Sequence, residues 1–213
     1  MSVAVTLVDV SARDGLQNES AARELSAQVK VDYLRLLAQT GLTRIEAGSF
    51  VRPQAVPAMA NSGEVAELLA PVEKEFPDVV FSYLVPNLKG LERAKAARAQ
   101  EIAIFLAVSE TFSKANINAG VDASFAAIAS TVEAARAQGM RVRGYLSNVF
   151  GYTDLPFSPG EVAKRSAQLL AMGCFEVSLG DTTALGTPEM TGRLIDALAG
   201  AGRPAFAGRD AFP

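Results

Sequence analysis

Short apolar runs alternate with segments of helical periodicity along the whole of this 213-residue chain, and this alternation limits the fold more than any other feature. We predict strands at residues 3–8, 43–47, 79–85, 102–108, 141–147 and 175–179, and a further strand that begins at 204–207. Because parallel neighbours need a long crossover, a helix between successive strands indicates a parallel sheet. A TIM barrel and an open, doubly wound sheet both fit this pattern.

Polar residues at the ends of the strands favour the barrel. No glycine-rich GxGxxG motif follows the first strand, as it would in a dinucleotide-binding open sheet. The strand ends instead carry Arg13/Asp14, Glu46/Ser49, Ser109/Glu110, Ser147/Asn148 and Asp181/Thr182. In a barrel these ends meet at one mouth. The predicted fold class is therefore α/β, an incomplete TIM (β/α)8-type barrel of about six βα units plus the start of a seventh strand, in a single domain over residues 1–213.

Local signals place the helices between these strands. Leu25, Val29, Tyr33 and Leu36/Leu37 repeat at helical spacing and predict the first helix, which Gly41 follows as a C-cap. The other start and stop signals are Asn61 or Ser62, Asn87, Asp122, Gly139, the capping box Ser158-Pro159-Gly160-Glu161, Gly173, and Thr187-Pro188. We expect residues 109–118 to form a loop.

Charge and composition exclude several classes of function. A net charge of -3, spread along the chain, gives no footprint for nucleic acid, and charged residues interrupt every apolar run before the ~18 residues of a membrane span. Met1 leads almost directly into the first strand, so no leader is expected and the cytoplasm is the predicted location. The single cysteine, Cys174, lies among apolar neighbours and is predicted to be a buried, inert thiol. A small-molecule ligand is the best expectation.

Arg13 and Asp14 are the first candidates for chemistry. They belong to the run Arg13-Asp14-Gly15-Leu16-Gln17-Asn18-Glu19, which follows the first predicted strand. A carboxylate beside a fixed cation is an arrangement that can hold a divalent metal and stabilise a developing oxyanion. Asp14 is then the metal ligand and Arg13 the oxyanion partner. For an isolated Arg-Asp dipeptide, a weak surface ion pair is the alternative.

Several further motifs accompany this run, in order along nearly the whole chain. They are Ile45-Glu46-Ala47-Gly48-Ser49-Phe50-Val51, Pro86-Asn87-Leu88-Lys89-Gly90, Asn116-Ile117-Asn118, Arg143-Gly144-Tyr145, Met172-Gly173-Cys174, Ser178-Leu179-Gly180-Asp181-Thr182 and Gly186-Thr187-Pro188. In this respect the chain resembles the hydroxymethylglutaryl-CoA lyase family. The resemblance implies a metal-dependent TIM barrel that uses Mg²⁺ or Mn²⁺ and cleaves an acyl-CoA thioester, 3-hydroxy-3-methylglutaryl-CoA, into acetoacetate and acetyl-CoA. Such an enzyme serves leucine degradation and ketone-body metabolism.

The resemblance also implies roles for individual residues. Asp14 is similar to the family's first metal ligand, Arg13 to the group that meets the negative oxygen, and Asp181 to an acid/base group. Gln17 and Glu46 resemble residues that order the site. The expected catalytic residues are Arg13, Asp181 and Glu46. Ser49, Tyr145 and Thr182 resemble pocket lining, and the segment 109–118 with Lys114 is expected near coenzyme A. Alternatively, Glu46 and Asp181 cap the loops that follow them and Tyr145 fills the barrel.

Part of the family's pattern is not present. Its remaining protein metal ligands are a His-x-His pair and an asparagine, and it has a catalytic cysteine in a glycine-rich loop, whereas this sequence contains no histidine. Alignment places Ala207 and Arg209 at the two histidine positions, and neither side chain binds a cation. We therefore expect weak metal affinity and little magnesium-stimulated cleavage.

Several alternatives stay open. A related Claisen-type acyltransferase or aldolase, similar to isopropylmalate synthase, is the second enzyme hypothesis, and a non-catalytic barrel fragment is the third hypothesis. Six units do not close an eight-stranded barrel, so we expect a further C-terminal part, a partner chain or partial unfolding to deal with the two open edges. A homo-oligomer is among the options.

Overall fold

The computed structural model describes residues 5–201, and its six strands follow one another in a single sheet in sequence order, β1 to β6. The chain divides within the fourth strand into two compact units, residues 1–103 and 104–213. The first unit contains β1 (Val8–Asp9), α1 (Ala27–Gln39), β2 (Arg44–Ser49), α2 (Ser62–Glu75), β3 (Val80–Leu84), α3 (Leu88–Ala96) and the start of β4 (Glu101–Ala107). The second contains the rest of β4, then α4 (Glu110–Ile117), α5 (Val121–Ala137), β5 (Arg141–Ser147), α6 (Pro159–Met172), β6 (Glu176–Gly180) and α7 (Pro188–Gly200).

Parallel pairing connects strands that are neighbours in the chain. In the first unit β1 pairs with β2, β2 with β3, and β3 with β4, all in parallel. In the second unit β5 and β6 pair in parallel from Arg143↔Glu176 to Ser147↔Gly180. This order of parallel strands with helical crossovers confirms six βα units of the TIM-barrel type. The predicted strand at 204–207 lies outside the described residues, and the single-domain prediction stays a prediction.

Each unit buries apolar side chains between its strands and helices. In the first unit Leu34, Leu69 and Leu91, one from each helix, are fully buried together with Ile45 and Ile102 of the strands. The second unit buries its own set, which is Ile104, Leu106, Val132, Leu146 and Leu169. Within residues 5–201 no helix has the length and hydropathy that crossing a membrane requires.

The first strand is shorter than we expected, and the buried side of helix α1 does not follow its apolar repeat. The first strand is only Val8–Asp9, and Val5 and Leu7 are exposed at 79% and 69%, so residues 5–7 are not the buried strand that we expected. Residues 3 and 4 lie outside the described part of the chain. Helix α1 exists, but Val29 and Leu36 are exposed, and its buried face is instead Ala27, Lys30, Val31, Leu34 and Ala38.

The second unit differs from expectation at three helix starts. Residues 110–117 form helix α4 and not a loop. Helix α5 begins after Gly120, so Asp122 lies inside its first turn and is not its N-cap. Ser158 precedes α6 but makes no side-chain cap to it, and Glu161 of the expected capping box pairs with Arg165 one turn later (2.7 Å). By contrast, Asn87 and Thr187 cap α3 and α7 as predicted.

Gly173 ends α6 as predicted, and the residue after it is the buried Cys174. Gly173 has a φ of 104°, a backbone conformation that residues with a Cβ rarely adopt, so glycine is favoured there. Cys174 is 4% exposed, and burial raises the pKa of its thiol to about 11, against a smaller opposing effect of Arg136. The predicted burial of the thiol is confirmed, and its inertness stays a prediction.

We predict that Cys174 resists alkylation in the native protein. A thiol with a pKa near 11 is almost wholly protonated at pH 8, so labelling should be on the order of 100-fold slower than in the chain unfolded in guanidinium chloride. Because the chain has one cysteine, a thiol-specific chromophore reports this residue alone. Native labelling at the unfolded rate would show that the thiol is accessible and would contradict the burial.

Candidate functional site

A tight turn after β1 presents Arg13 and Asp14. Residues Ser11–Gly15 form one π-helical turn, in which the amides of Arg13, Asp14 and Gly15 all donate to the Val10 carbonyl at 3.1, 2.7 and 3.2 Å. The turn places the two neighbouring side chains in different surroundings: Arg13 is buried and Asp14 is exposed. Single π-helical turns are rare and occur often at functional sites.

An ion pair fixes the Arg13 guanidinium. Its Nε donates to Glu46 Oε2 at 2.6 Å, and its Nη1 donates to Asp14 Oδ1 at 2.7 Å. The Glu46 side chain is fully buried and that of Arg13 is 9% exposed, whereas the Asp14 side chain is 55% exposed. The buried carboxylate therefore holds the cation in one place, and the cation in turn orients the exposed carboxylate.

Asp14 faces solvent with one oxygen already engaged. Gln17 Nε2 donates to Asp14 Oδ1 at 2.8 Å, so both side-chain donors to Asp14 in the described structure end on the same oxygen. A carboxylate oxygen is a suitable ligand for Mg²⁺. Residues 5–201 hold no cluster of three or more His, Cys, Asp or Glu that could bind a metal. Asp14 can supply one ligand, but the described residues do not form a metal site by themselves.

Ser49 lies at the end of β2 and its hydroxyl is used by the backbone. Its Oγ donates to the Leu84 carbonyl (3.3 Å) and accepts from the Val51 amide (3.4 Å), and the residue is 1% exposed. The Ser49 amide donates to Ser62 Oγ at 3.1 Å. Ser49 therefore joins β2 to β3 and does not line an open surface. Sequence reasoning proposed Ser62 only as a possible helix start and missed its contact with Ser49, which lies thirteen residues earlier in the chain.

Gly48 makes room for this serine pair. The parallel register of β2 with β3 shifts between Glu46 and Gly48, so the strand is bulged where the site residues lie. A Cβ on Gly48 would come within 2.8 Å of Ser62 Oγ. The bulge therefore lies between Glu46, which pairs with Arg13, and Ser49, whose amide donates to Ser62.

In the second unit, Asp181 serves the loop that follows β6. Its Oδ1 accepts from the Leu185 amide (3.0 Å) and its Oδ2 from the Gly186 amide (2.9 Å), which is the loop-capping alternative that the sequence left open. Thr182 Oγ1 accepts from the Asn148 amide (3.0 Å). Tyr145 is half-buried beneath the Arg143 guanidinium, 5.1 Å from its ring centroid. The acid/base role of Asp181 stays a prediction.

Helix α4 replaces the loop that we expected near coenzyme A. Ser109 caps this helix by accepting from the Phe112 amide (3.0 Å) and donates to Asp154 Oδ1 (2.6 Å), while the Thr111 amide donates to Asp154 Oδ2 (3.0 Å). Desolvation acts to raise the pKa of Asp154, but these hydrogen bonds outweigh it and hold the pKa below its ordinary value. Lys114 is exposed and lies 3.7 Å from Glu110. Sequence reasoning did not single out Asp154.

The structure therefore brings Arg13, Asp14, Gln17 and Glu46 into one hydrogen-bonded cluster. Comparison with known proteins identifies the family of a chain that carries such a cluster. The family model described as HMGL-like matches residues 4–203. The chain belongs to the HMGL-like family.

Individual relatives agree with this assignment. A 3-hydroxy-3-isohexenylglutaryl-CoA/hydroxy-methylglutaryl-CoA lyase of Pseudomonas aeruginosa is 44% identical over 196 residues, which is 92% of this chain and 63% of that protein. The crystal structure of hydroxymethylglutaryl-CoA lyase from Pseudomonas aeruginosa matches with a TM-score of 0.86 at 43% identity, over 92% of this chain and 64% of the other. An HMG-CoA lyase of Acinetobacter baumannii in complex with coenzyme A and 3-methylmalate matches with a TM-score of 0.83 at 32% identity, over 93% and 64%.

This member of the HMGL-like family spans 58–63% of the length of the curated relatives that it matches. The similarity confirms the predicted fold class, an incomplete TIM barrel, and the family that the sequence motifs indicated. Ala207 and Arg209, which were aligned with the family's histidines, lie outside the described residues.

We predict that Arg13 contributes more to stability than Asp14 does. Arg13→Met removes the cation from the fully buried Glu46 and should lower the free energy of unfolding by about 3 kcal/mol. Asp14→Asn alters a half-exposed pair and should cost less than about 1 kcal/mol. Urea denaturation of both variants measures the difference.

Arg165 offers a matched control, because it is also buried (7% exposed) and contacts two carboxylates, Glu161 and Asp122. Because the side chains of Asp122 and Glu161 are 87% and 30% exposed, Arg165→Met leaves no carboxylate fully buried and should cost less stability than Arg13→Met. Equal effects of Arg13→Met and Asp14→Asn would contradict the burial of the Arg13–Glu46 pair.

Proposed function

We propose that this chain takes part in carbon–carbon bond cleavage of an acyl-CoA thioester, namely 3-hydroxy-3-methylglutaryl-CoA, giving acetoacetate and acetyl-CoA. The observation that carries the proposal is the Arg13 guanidinium fixed between the buried Glu46 and the exposed Asp14. A fixed cation at the end of a barrel strand is placed to meet negative charge that develops on a bound substrate. The names of the relatives support the choice of substrate.

The proposed reaction is a retro-Claisen cleavage. The tertiary hydroxyl at C3 loses its proton to a base, its oxygen becomes the ketone of acetoacetate, and the C2–C3 bond breaks. The electron pair of that bond passes to the thioester as an enolate, which takes up a proton at C2 and becomes acetyl-CoA. Arg13 stabilises the negative oxygen in this sequence, because a preorganised cation needs no reorganisation as the charge forms. Asp181 is proposed as the acid/base group.

The neighbours of Arg13 act by positioning. Glu46 is fully buried and holds the guanidinium through Nε, so it sets the direction of the cation. Gln17 donates to Asp14 and fixes that carboxylate, while Ser49 ties the end of β2 to β3. Tyr145 and Thr182 keep their proposed place in the substrate pocket. Ser49, being buried, is proposed to shape this pocket without touching the substrate.

A divalent metal, Mg²⁺ or Mn²⁺, is part of the proposal in a limited way. Asp14 offers one carboxylate ligand, and no cluster of three acidic, histidine or cysteine residues occurs within residues 5–201. The described residues alone therefore do not form a complete metal site, and the proposed reaction steps depend only on residues of the chain. We further propose a cytoplasmic location and a role in leucine degradation and ketone-body metabolism.

We predict that residues 1–201 support lyase activity when joined to the C-terminal part of the Pseudomonas aeruginosa lyase that lies beyond the matched region. This chimera should form acetoacetate from 3-hydroxy-3-methylglutaryl-CoA in the presence of Mg²⁺. Arg13→Met in the chimera should lower kcat by roughly 100-fold or more, because one charged stabiliser of the transition state is lost. The 213-residue chain alone, which has no histidine, should show little magnesium-stimulated cleavage.

Arg165→Met serves as the control in the chimera, since it removes an equally buried arginine and should leave kcat unchanged. Acetyl-CoA with a 2-oxo acid is the competing assay. Product from that pair alone would assign the chain to the acyltransferases. A folded chimera that forms no product in either assay would favour the hypothesis of a non-catalytic barrel fragment and would overturn the proposal.

A further inference from the structure

Lys30 is a buried lysine in the first unit that the proposed reaction does not use. It lies on α1, is 5% exposed, and its Nζ donates to the Ala58 carbonyl and to Asn61 Oδ1, the latter at 2.6 Å. Within residues 5–201 both hydrogen bonds of this ammonium end on neutral oxygens. Burial lowers the pKa of the Lys30 amine, as expected for a charge taken out of water. A lysine on a helix normally keeps its head in solvent.

The acceptors of Lys30 connect two loops. Ala58 and Asn61 belong to the loop after β2, residues 50–61, and Asn61 Nδ2 donates in turn to the Leu25 carbonyl (3.0 Å) of the loop after β1, residues 16–26. The same loops share an apolar cluster, formed by Ala22, Ala58 and Met59 with Leu16, Leu25, Val51 and Val56 packed against it. Lys30 and Asn61 therefore close one side of an apolar contact between the two loops.

Each loop is joined directly to a part of the candidate site. The loop after β1 begins beside Gln17, which donates to Asp14. The loop after β2 ends at Ser62, whose hydroxyl donates to the Met59 carbonyl (2.8 Å) and accepts from the Ser49 amide. A displacement of residues 58–61 would thus move the support of Ser49, and a displacement of residues 16–26 would move the partner of Asp14.

We propose that Lys30 is a positioning residue, which fixes the loops after β1 and β2 so that the Arg13–Asp14–Glu46 cluster is presented to the thioester in one geometry. A lysine suits this role because its long stem reaches across the apolar contact and its ammonium has three donors. The substrate part of this inference rests on the proposed function, whereas the loop part rests on geometry alone.

The test uses the full chain and two measurements. Amide hydrogen exchange followed by mass spectrometry reports each loop separately, and titration calorimetry with acetyl-CoA reports binding of a CoA thioester. In Lys30→Met, which keeps the length of the side chain but has no donor, exchange in both loops should rise roughly tenfold while the β4–β5 region is unchanged. Affinity for acetyl-CoA should fall by roughly tenfold.

Asn61→Ala is the second variant, because it removes an acceptor without altering α1. It should accelerate exchange in the same two loops, and combining it with Lys30→Met should add little, since the two residues act through one contact. Lys95→Met, at an exposed lysine on α3, should change neither measurement. If Lys30→Met raised exchange uniformly over the whole unit, or left both loops protected, the positioning role would be wrong.

The two proposals fail in different ways. A wild-type chain that binds no acetyl-CoA would count against the proposed function, while the exchange of the two loops would still decide the role of Lys30. If Lys30→Met failed to fold, Asn61→Ala alone would decide. Loops that loosen with no loss of thioester affinity would overturn the link between this contact and the site.

Discussion

The buried pair between Arg13 and Glu46 is the interaction on which the organisation of the site depends. Strand β1 contributes only Val8 and Asp9 to the sheet, so the backbone ladder gives the following turn little support. The pair supplies that support, because it joins the turn to the middle of β2 through a 2.6 Å contact that is shielded from water. A fully buried carboxylate is costly without a partner, and this cost makes any other position of Arg13 unfavourable. Asp14 is then oriented through the same guanidinium.

A second constraint acts on the other side of Glu46, where β2 is bulged. The register with β3 shifts between Glu46 and Gly48, and residues 45–49 of β2 are all buried, Glu46 and Ser49 among them. The bulged backbone needs Gly48 because the Ser62 hydroxyl occupies the space of a Cβ. That hydroxyl accepts from the Ser49 amide and donates to the Met59 carbonyl. The site therefore depends on the loop after β2 as much as on the strands.

Much of the architecture could be predicted from the sequence, whereas individual side-chain contacts could not. Strand β5 was predicted at its observed bounds, and Asn87, Gly173 and Thr187 mark helix ends by local backbone chemistry that the sequence displays directly. The burial of Lys30 on α1 depends on acceptors 28 and 31 positions later in the chain, which the local periodicity does not display. Ser158 makes no side-chain cap, and Glu161 pairs with Arg165 four residues later. A pattern of residue types along the chain does not show which of these side-chain contacts forms.

The candidate site shows the same boundary between local and distant information. Glu46, Asp14 and Asp181 were all selected as carboxylates near the ends of parallel strands, yet they meet three different surroundings. Glu46 is buried against a guanidinium, Asp181 accepts from two backbone amides of its own loop, and Asp14 keeps 55% of its side chain exposed. Asp181 is also exposed, but each of its oxygens accepts a backbone amide, whereas the two side-chain donors to Asp14 both end on Oδ1. Of the three, Asp14 is thus the carboxylate best placed to reach a ligand. Sequence position alone cannot separate the three, because the separation comes from the partner that each one finds.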